Sequence, residues 1–189
     1  VALVHRAGLR FPGEATLPAM RANLAYELDD RDEVRAALDR AKAIDPDDPA
    51  HLLVIARFRA TVSSDIDGAL ADLDRAVKAA PGDDAVWNEI GLLKSDRNAI
   101  VEANAAHRRA IALNPENAAL HANHARFLMD NDQMAAAKAA IDAAEALDPT
   151  SYAVLAAKGR YLLRMGKTAE GEKVLQEAAA VNPTAGDAL

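Results

Sequence analysis

Apolar residues recur along this chain at the three- and four-residue intervals of a single helix face, in runs of about a dozen positions closed by prolines. The pattern is clearest over residues 84–117, where Trp87, Ile90, Gly91, Ala103, Ala110 and Pro115 mark the offsets of a 34-residue helix–turn–helix unit. An alanine stands five residues before a proline at Ala7–Pro12, Ala41–Pro46, Ala76–Pro81, Ala110–Pro115, Ala144–Pro149 and Ala178–Pro183. Successive prolines are 34, 35, 34, 34 and 34 residues apart, so one helical hairpin repeats from end to end. Each proline lacks the N–H a continuing helix needs and disfavours helix in the residue before it, which predicts that it closes a second helix. The small alanine one and a half turns earlier lets that helix approach its neighbours. Helices this short are marginal alone in water, so they must persist by covering one another's apolar faces.

On these residues the chain resembles a tetratricopeptide repeat (TPR) array of bacterial type. The resemblance implies an all-α, right-handed α-solenoid of stacked helical hairpins. It covers five units, 15–48, 49–83, 84–117, 118–151 and 152–185, followed by a tail at 186–189. Residues 1–14 begin with Val1 and read as the second helix of a truncated upstream repeat. The third unit matches best, although Lys94 replaces the usual tyrosine and His107 the usual large apolar residue. The first unit is degenerate in its first helix, with Pro18 and Arg21 at normally apolar places, and Pro18 suits a first turn. The last unit has Gly171 where alanine is expected. The second unit carries one extra residue, placed in the inter-helix turn TVSSDID because both helices align on either side of it. Asn98, Asp132 and Gly166 share the matching turn position in the other units and are residue types that tolerate left-handed backbone. The stretch behind Pro183 is too short for another helix. Val174, Leu175 and Val181 are therefore expected to lack a cover, and self-association through uncapped ends stays open.

Composition narrows the function. Aromatics make up 4% and alanine is abundant, which suits close-packed helices. The net charge of −7, without a Lys/Arg run, argues against a nucleic-acid partner. No apolar run reaches the ~18 residues of a membrane span, so no membrane insertion is expected. Absent cysteine excludes disulfides and thiolate sites and is compatible with either cytoplasm or periplasm, leaving the compartment unknown. Arginine outnumbers lysine 15 to 7, an association with GC-rich bacterial chains.

No nucleophile with its base, phosphate loop or paired-carboxylate site can be read here, and no cofactor is expected. His121 and His124 stand three apart on one helix face, and His107 occupies the core place of the helix that should pack there. Three imidazoles at one junction form a weak candidate for a metal. The alternative, that they replace core residues, is favoured because no fourth ligand stands at a fitting interval.

The resemblance further implies that first helices line a concave groove. Its inner positions correspond to Asn23, Arg57, Leu92, Arg126 and Arg160, joined by Asn88, Glu89, Asn123, Asp96, Asp130 and Arg164. Asparagine amides can hold an extended backbone by paired contacts, and arginine can grip carboxylates through two parallel bonds. The candidate peptide-binding residues are Asn23, Arg57, Asn88, Asn123, Arg126, Arg160 and Arg164. Local neutralisation competes with that role, for instance of Arg126 by Asp130. The family's carboxylate clamp for chaperone tails is not matched: Ala19, Asn23, Val54, Ala85 and Glu89 occupy one frame, and Asn88, Leu92, Asn123, Ala153 and Ala157 the other. The expected function is a non-catalytic protein–protein interaction scaffold binding an extended partner segment, acidic or C-terminal, in the concave groove. The alternatives are a recruiting region of a larger enzyme and a self-assembling scaffold. Trp87, Phe58, Phe127 and Tyr161 are expected to pack in the core.

Overall fold

In the computed structural model the described residues are 45–62 and 64–182, together with 32, 36, 39, 40 and 43. What the sequence implies for residues 1–14, Pro18, Arg21, Asn23, Pro183 and the tail lies outside them. Among the described residues the regular structure is eight helices: α1 (Pro49–Val62), α2 (Ile66–Ala79), α3 (Asp84–Asp96), α4 (Ile100–Leu113), α5 (Ala118–Asp130), α6 (Met134–Leu147), α7 (Tyr152–Arg164) and α8 (Thr168–Val181).

Local chemistry accounts for the boundaries. The residue that ends each second helix is extended rather than helical, at φ −137° for Ala80, −142° for Asn114, −150° for Asp148 and −135° for Asn182. In each case a proline follows and forces that conformation. The turn inside each hairpin passes through one left-handed residue, with φ of 52° at Ser64, 56° at Asn98, 58° at Asp132 and 76° at Gly166. Ser64 stands 34 residues before Asn98, so the extra residue of its unit lies ahead of the turn's left-handed point. There α1 has 14 residues against 13 in α3, α5 and α7.

Three of the four first helices among the described residues begin on a side-chain cap, and α7, after Ser151, begins without one. Asp48 accepts from the His51 N–H at 2.8 Å, Asp83 from Ala85 N–H at 2.9 Å, and Asn117 from Ala119 N–H at 3.1 Å. Asp83→Ala is expected to cost about 1 kcal/mol, read from the chemical denaturation midpoint. No change would mean that the α3 start is held by packing alone.

Residues 1–82 and 83–189 are two compact units. In the first, α1 packs on α2 through Leu52, Ala56, Ala69, Leu73 and Ala76. Asp72, only 6% exposed, is held between two guanidinium groups, Arg59 Nε at 3.0 Å and Arg75 Nη1 at 3.3 Å. Arg75 also bonds Asp47 at 2.6 Å and the Pro46 carbonyl at 2.8 Å, tying the start of the hairpin to its second helix. Without these cations a buried carboxylate would be strongly destabilising.

The second unit contains three hairpins. The helices of each pair against one another, and α5 touches both α3 and α7, so the three first helices lie in a row. Small residues recur where helices cross. Ala103, Ala110, Ala125, Ala137, Ala144 and Ala178 are all fully buried. The junction of α5, α6 and α7 is built on Ala118, Ala122, Ala125, Ile141, Ala144, Val154 and Ala157. Gly171 has a steric reason of its own: a Cβ there would lie 2.8 Å from the Leu163 side chain and 3.0 Å from the Gly159 carbonyl oxygen. Phe127 is buried, while Trp87, Phe58 and Tyr161 are half-buried, so the expected tryptophan core position is only partly enclosed.

Candidate binding face on the first helices

In the second unit α3, α5 and α7 present Asn88, Asn123, Arg126 and Arg160 on one face. Asn88 is nearly buried and accepts a hydrogen bond from Asn123 Nδ2 at 3.1 Å, linking α3 to α5. Asn123, Arg126 and Arg160 line two recesses in common. The smaller, about 120 Å³, lies between α5 and α7 and is floored by Ala122, Ala153 and Ala157. The larger, about 300 Å³, opens between α3, α4 and α5 and reaches down to His107.

The arginines are not equivalent. Arg164 is engaged: its Nη2 meets Asp130 Oδ1 at 2.9 Å and its Nη1 donates to the Met129 carbonyl. The structure therefore gives Asp130 to Arg164 of the next hairpin, not to Arg126. Arg126 is exposed and makes no ion pair among the described residues. Arg57 belongs to the first unit, on α1, and is half-buried. Asn23 falls outside the described residues. Glu89, one of the inner positions, is buried at 8% exposure.

The histidines do not converge as ligands. His121 Nε2–H donates to the Pro115 carbonyl at 2.9 Å, and His124 Nε2–H donates to Asn104 Oδ1 at 2.8 Å. His107 and His124 lie with ring centroids 5.8 Å apart, and each also meets Phe127, at 5.4 Å and 6.1 Å. Among the described residues no group of three His, Cys, Asp or Glu could hold a metal ion.

His107 is the unexpected member. It is 1% exposed, and neither ring nitrogen has a hydrogen-bond partner among the described residues. Burial, with help from His124 and Arg126, pushes it down to about 4, so it is neutral at physiological pH. His124 is lowered too, by burial first and then by Arg108 and His121. Gly91 makes room for the His107 ring: a Cβ on that glycine would stand 2.8 Å from Nδ1 and Cε1. Sequence reasoning placed His107 in the core but missed its opening to the larger recess. The signal was available in the coincidence of a glycine on one helix and a polar ring at the apolar place of its partner.

Helical hairpins with small residues at their crossings, a proline behind each second helix and first helices in a row define the tetratricopeptide-repeat fold, an all-α helical-repeat solenoid. Known structures carry the same arrangement. A thermophilic TPR protein of Thermus thermophilus is 20% identical with a TM-score of 0.77, over 89% of this chain and 92% of that one. PilW, a widely conserved type IV pilus biogenesis factor, is 17% identical with a TM-score of 0.71, over 90% and 79%. A tetratricopeptide repeat protein from Parabacteroides merdae is 15% identical with a TM-score of 0.76, over 96% and 68%. No family model matches the chain, and no curated protein matches it in sequence. The likeness is thus one of fold. No helix among the described residues is long and apolar enough to cross a membrane.

Proposed function

We propose that this chain is a non-catalytic protein-interaction scaffold. In the second unit, the first-helix face would take an extended partner segment rich in carboxylates. The observation that carries this reading is the sharing of Asn123, Arg126 and Arg160 between two adjoining recesses on that face. Amides suit an extended backbone, and guanidinium groups suit acidic side chains. Asn88 supports the face through its bond to Asn123, while Arg164 acts indirectly by keeping Asp130 away from Arg126. Arg57 extends the same candidate set to the first unit. The hairpin boundaries 15–48, 49–83, 84–117, 118–151 and 152–185 belong to this reading, because it assigns one equivalent inner position to each hairpin.

The test is affinity capture from a bacterial lysate, comparing wild type with an Arg57→Glu, Arg126→Glu, Arg160→Glu variant whose helical content is unchanged. A partner retained by the wild type and lost from the variant is the expected result. The same proteins on both columns would sink the assignment of binding to these arginines. A second reading, self-association, is favoured by the exposed Leu163, Met165 and Val181. A solution mass that stays monomeric over a hundred-fold concentration range would remove it.

A further inference from the structure

Two seams of the second unit correspond by register, one between α4 and α5 and one between α6 and α7. In the first, the rings of His107, His124 and Phe127 meet and fill the space. Their counterparts 34 residues on are Ile141, Lys158 and Tyr161. Lys158 pairs with Glu145 instead of packing against a ring, and an open groove of about 270 Å³ remains. Ile141, Tyr161, Leu162 and Met165 give that groove an apolar lining. Met165 is 53% exposed, on a side chain flexible enough to fit what arrives. Asn123, Arg126 and Arg160 do not line it, so it is a surface apart from the first-helix face.

The same unit exposes an apolar point that takes no part in its own packing. Val101, in the first turn of α4, is 79% exposed, and Ile100 beside it is exposed too. The matching positions of the other second helices are Asp67, Ala135 and Ala169, so the hairpin itself has no need of a valine there. Ala135 stands three and seven residues before Lys138 and Asp142, which form the α6 wall of the groove. Those spacings keep the three on one helix face. By register, Val101 and the groove therefore lie on one side of the unit.

We propose that the groove between α6 and α7 receives Ile100 and Val101 of a second copy of this chain. The inference rests on the self-association reading above and deepens it. It moves the contact from the exposed end to a lateral face, since Leu163 and Val181 do not line the groove. Because knob and groove share one patch, a two-fold axis between them lets each copy fill the other, and the pair closes as a dimer. Charge agrees with this pairing. Glu102, exposed next to Val101, comes to a rim where Lys138, Lys158 and Lys167 outnumber Asp142 and Glu145. Two contacts of this kind make a small interface, so the pair is weak and reversible.

The test is sedimentation velocity on the full chain from about 1 μM to about 1 mM. The expected result is a mass that rises from 20.0 kDa toward twice that value and stops there. Val101→Glu and Met165→Glu, both at exposed positions and checked for unchanged urea midpoints, should each weaken association at least about tenfold. Mixed in equal amounts, the two variants should associate more strongly than either alone, because a mixed pair keeps one intact knob and groove. Val181→Glu should change nothing. A wild type that stays monomeric throughout overturns the inference and self-association together. Association lost in Val181→Glu yet kept in Val101→Glu overturns the inference and leaves self-association through the exposed end. No gain on mixing overturns it as well, since Val101 and Met165 would then not meet across the interface. Growth beyond the dimer would overturn the closed pair.

Discussion

Replacing Ala144 with leucine is expected to destabilise the second unit by about 1–3 kcal/mol. Ala144 is fully buried on α6, in a junction whose other members include Ala118, Ala122, Ala125 and Ala157, with Tyr161 packed against it. Three added carbons have nowhere to go. Most of the residues in that junction are alanines, which have no rotamers, so relief must come largely from moving a helix rather than from turning a side chain. Ala146→Leu, on the same helix at an exposed position, supplies the control and should stay within about 0.5 kcal/mol of wild type. The measurement is the urea midpoint of each variant. Equal midpoints for both would mean that the α5–α6–α7 junction is looser than its burial implies.

Acidification is expected to weaken the wild type by about 2 kcal/mol more than a His107→Leu variant between about pH 7.5 and about pH 5. The folded protein holds His107 down at about 4, against 6.5 for an ordinary histidine. Between those values the unfolded chain binds a proton that the folded chain refuses. Stability is thus fully present above about 6.5, falls as pH drops through the window, and loses nothing further from this residue below about 4. His124, also lowered, adds to the slope of both proteins and cancels in the comparison. Leucine is the natural replacement because the position is otherwise an apolar one beside Phe127. Denaturation curves at a series of pH values decide the matter: parallel lines for wild type and variant would show that His107 takes up its proton without loss of packing.

The fold was legible because its signals are backbone ones. Proline cannot continue a helix that precedes it, and the φ values at Ala80, Asn114 and Asp148 follow from the residue after each of them. The left-handed turn was equally readable at Asn98, Asp132 and Gly166. Ser64 was not recognised, since serine has no special liking for that conformation and takes it here because the hairpin requires it. The face was legible only by register: Asn88, Asn123, Arg126 and Arg160 come together in the second unit. Pairing was a different matter. Asp130 lies one helical turn from Arg126 in sequence, yet Arg164, 34 residues away, takes it. Competition between two guanidinium groups for one carboxylate depends on the offset between neighbouring hairpins, and no sequence period encodes that offset. The half-buried state of Trp87 has the same origin, as its exposure depends on how much of α3 its neighbours cover.

Local pairing also bears on how quickly the second unit can form. Its helices contact only members of their own hairpin or of the next one along. The side-chain bonds that join hairpins, Asn88 with Asn123 and Arg164 with the Met129 carbonyl, each span 35 residues. No contact waits for the two ends of the unit to find each other. Loop closure therefore costs little at every step, and the unit should show the rapid refolding of low-contact-order helical proteins, in the microsecond-to-millisecond range.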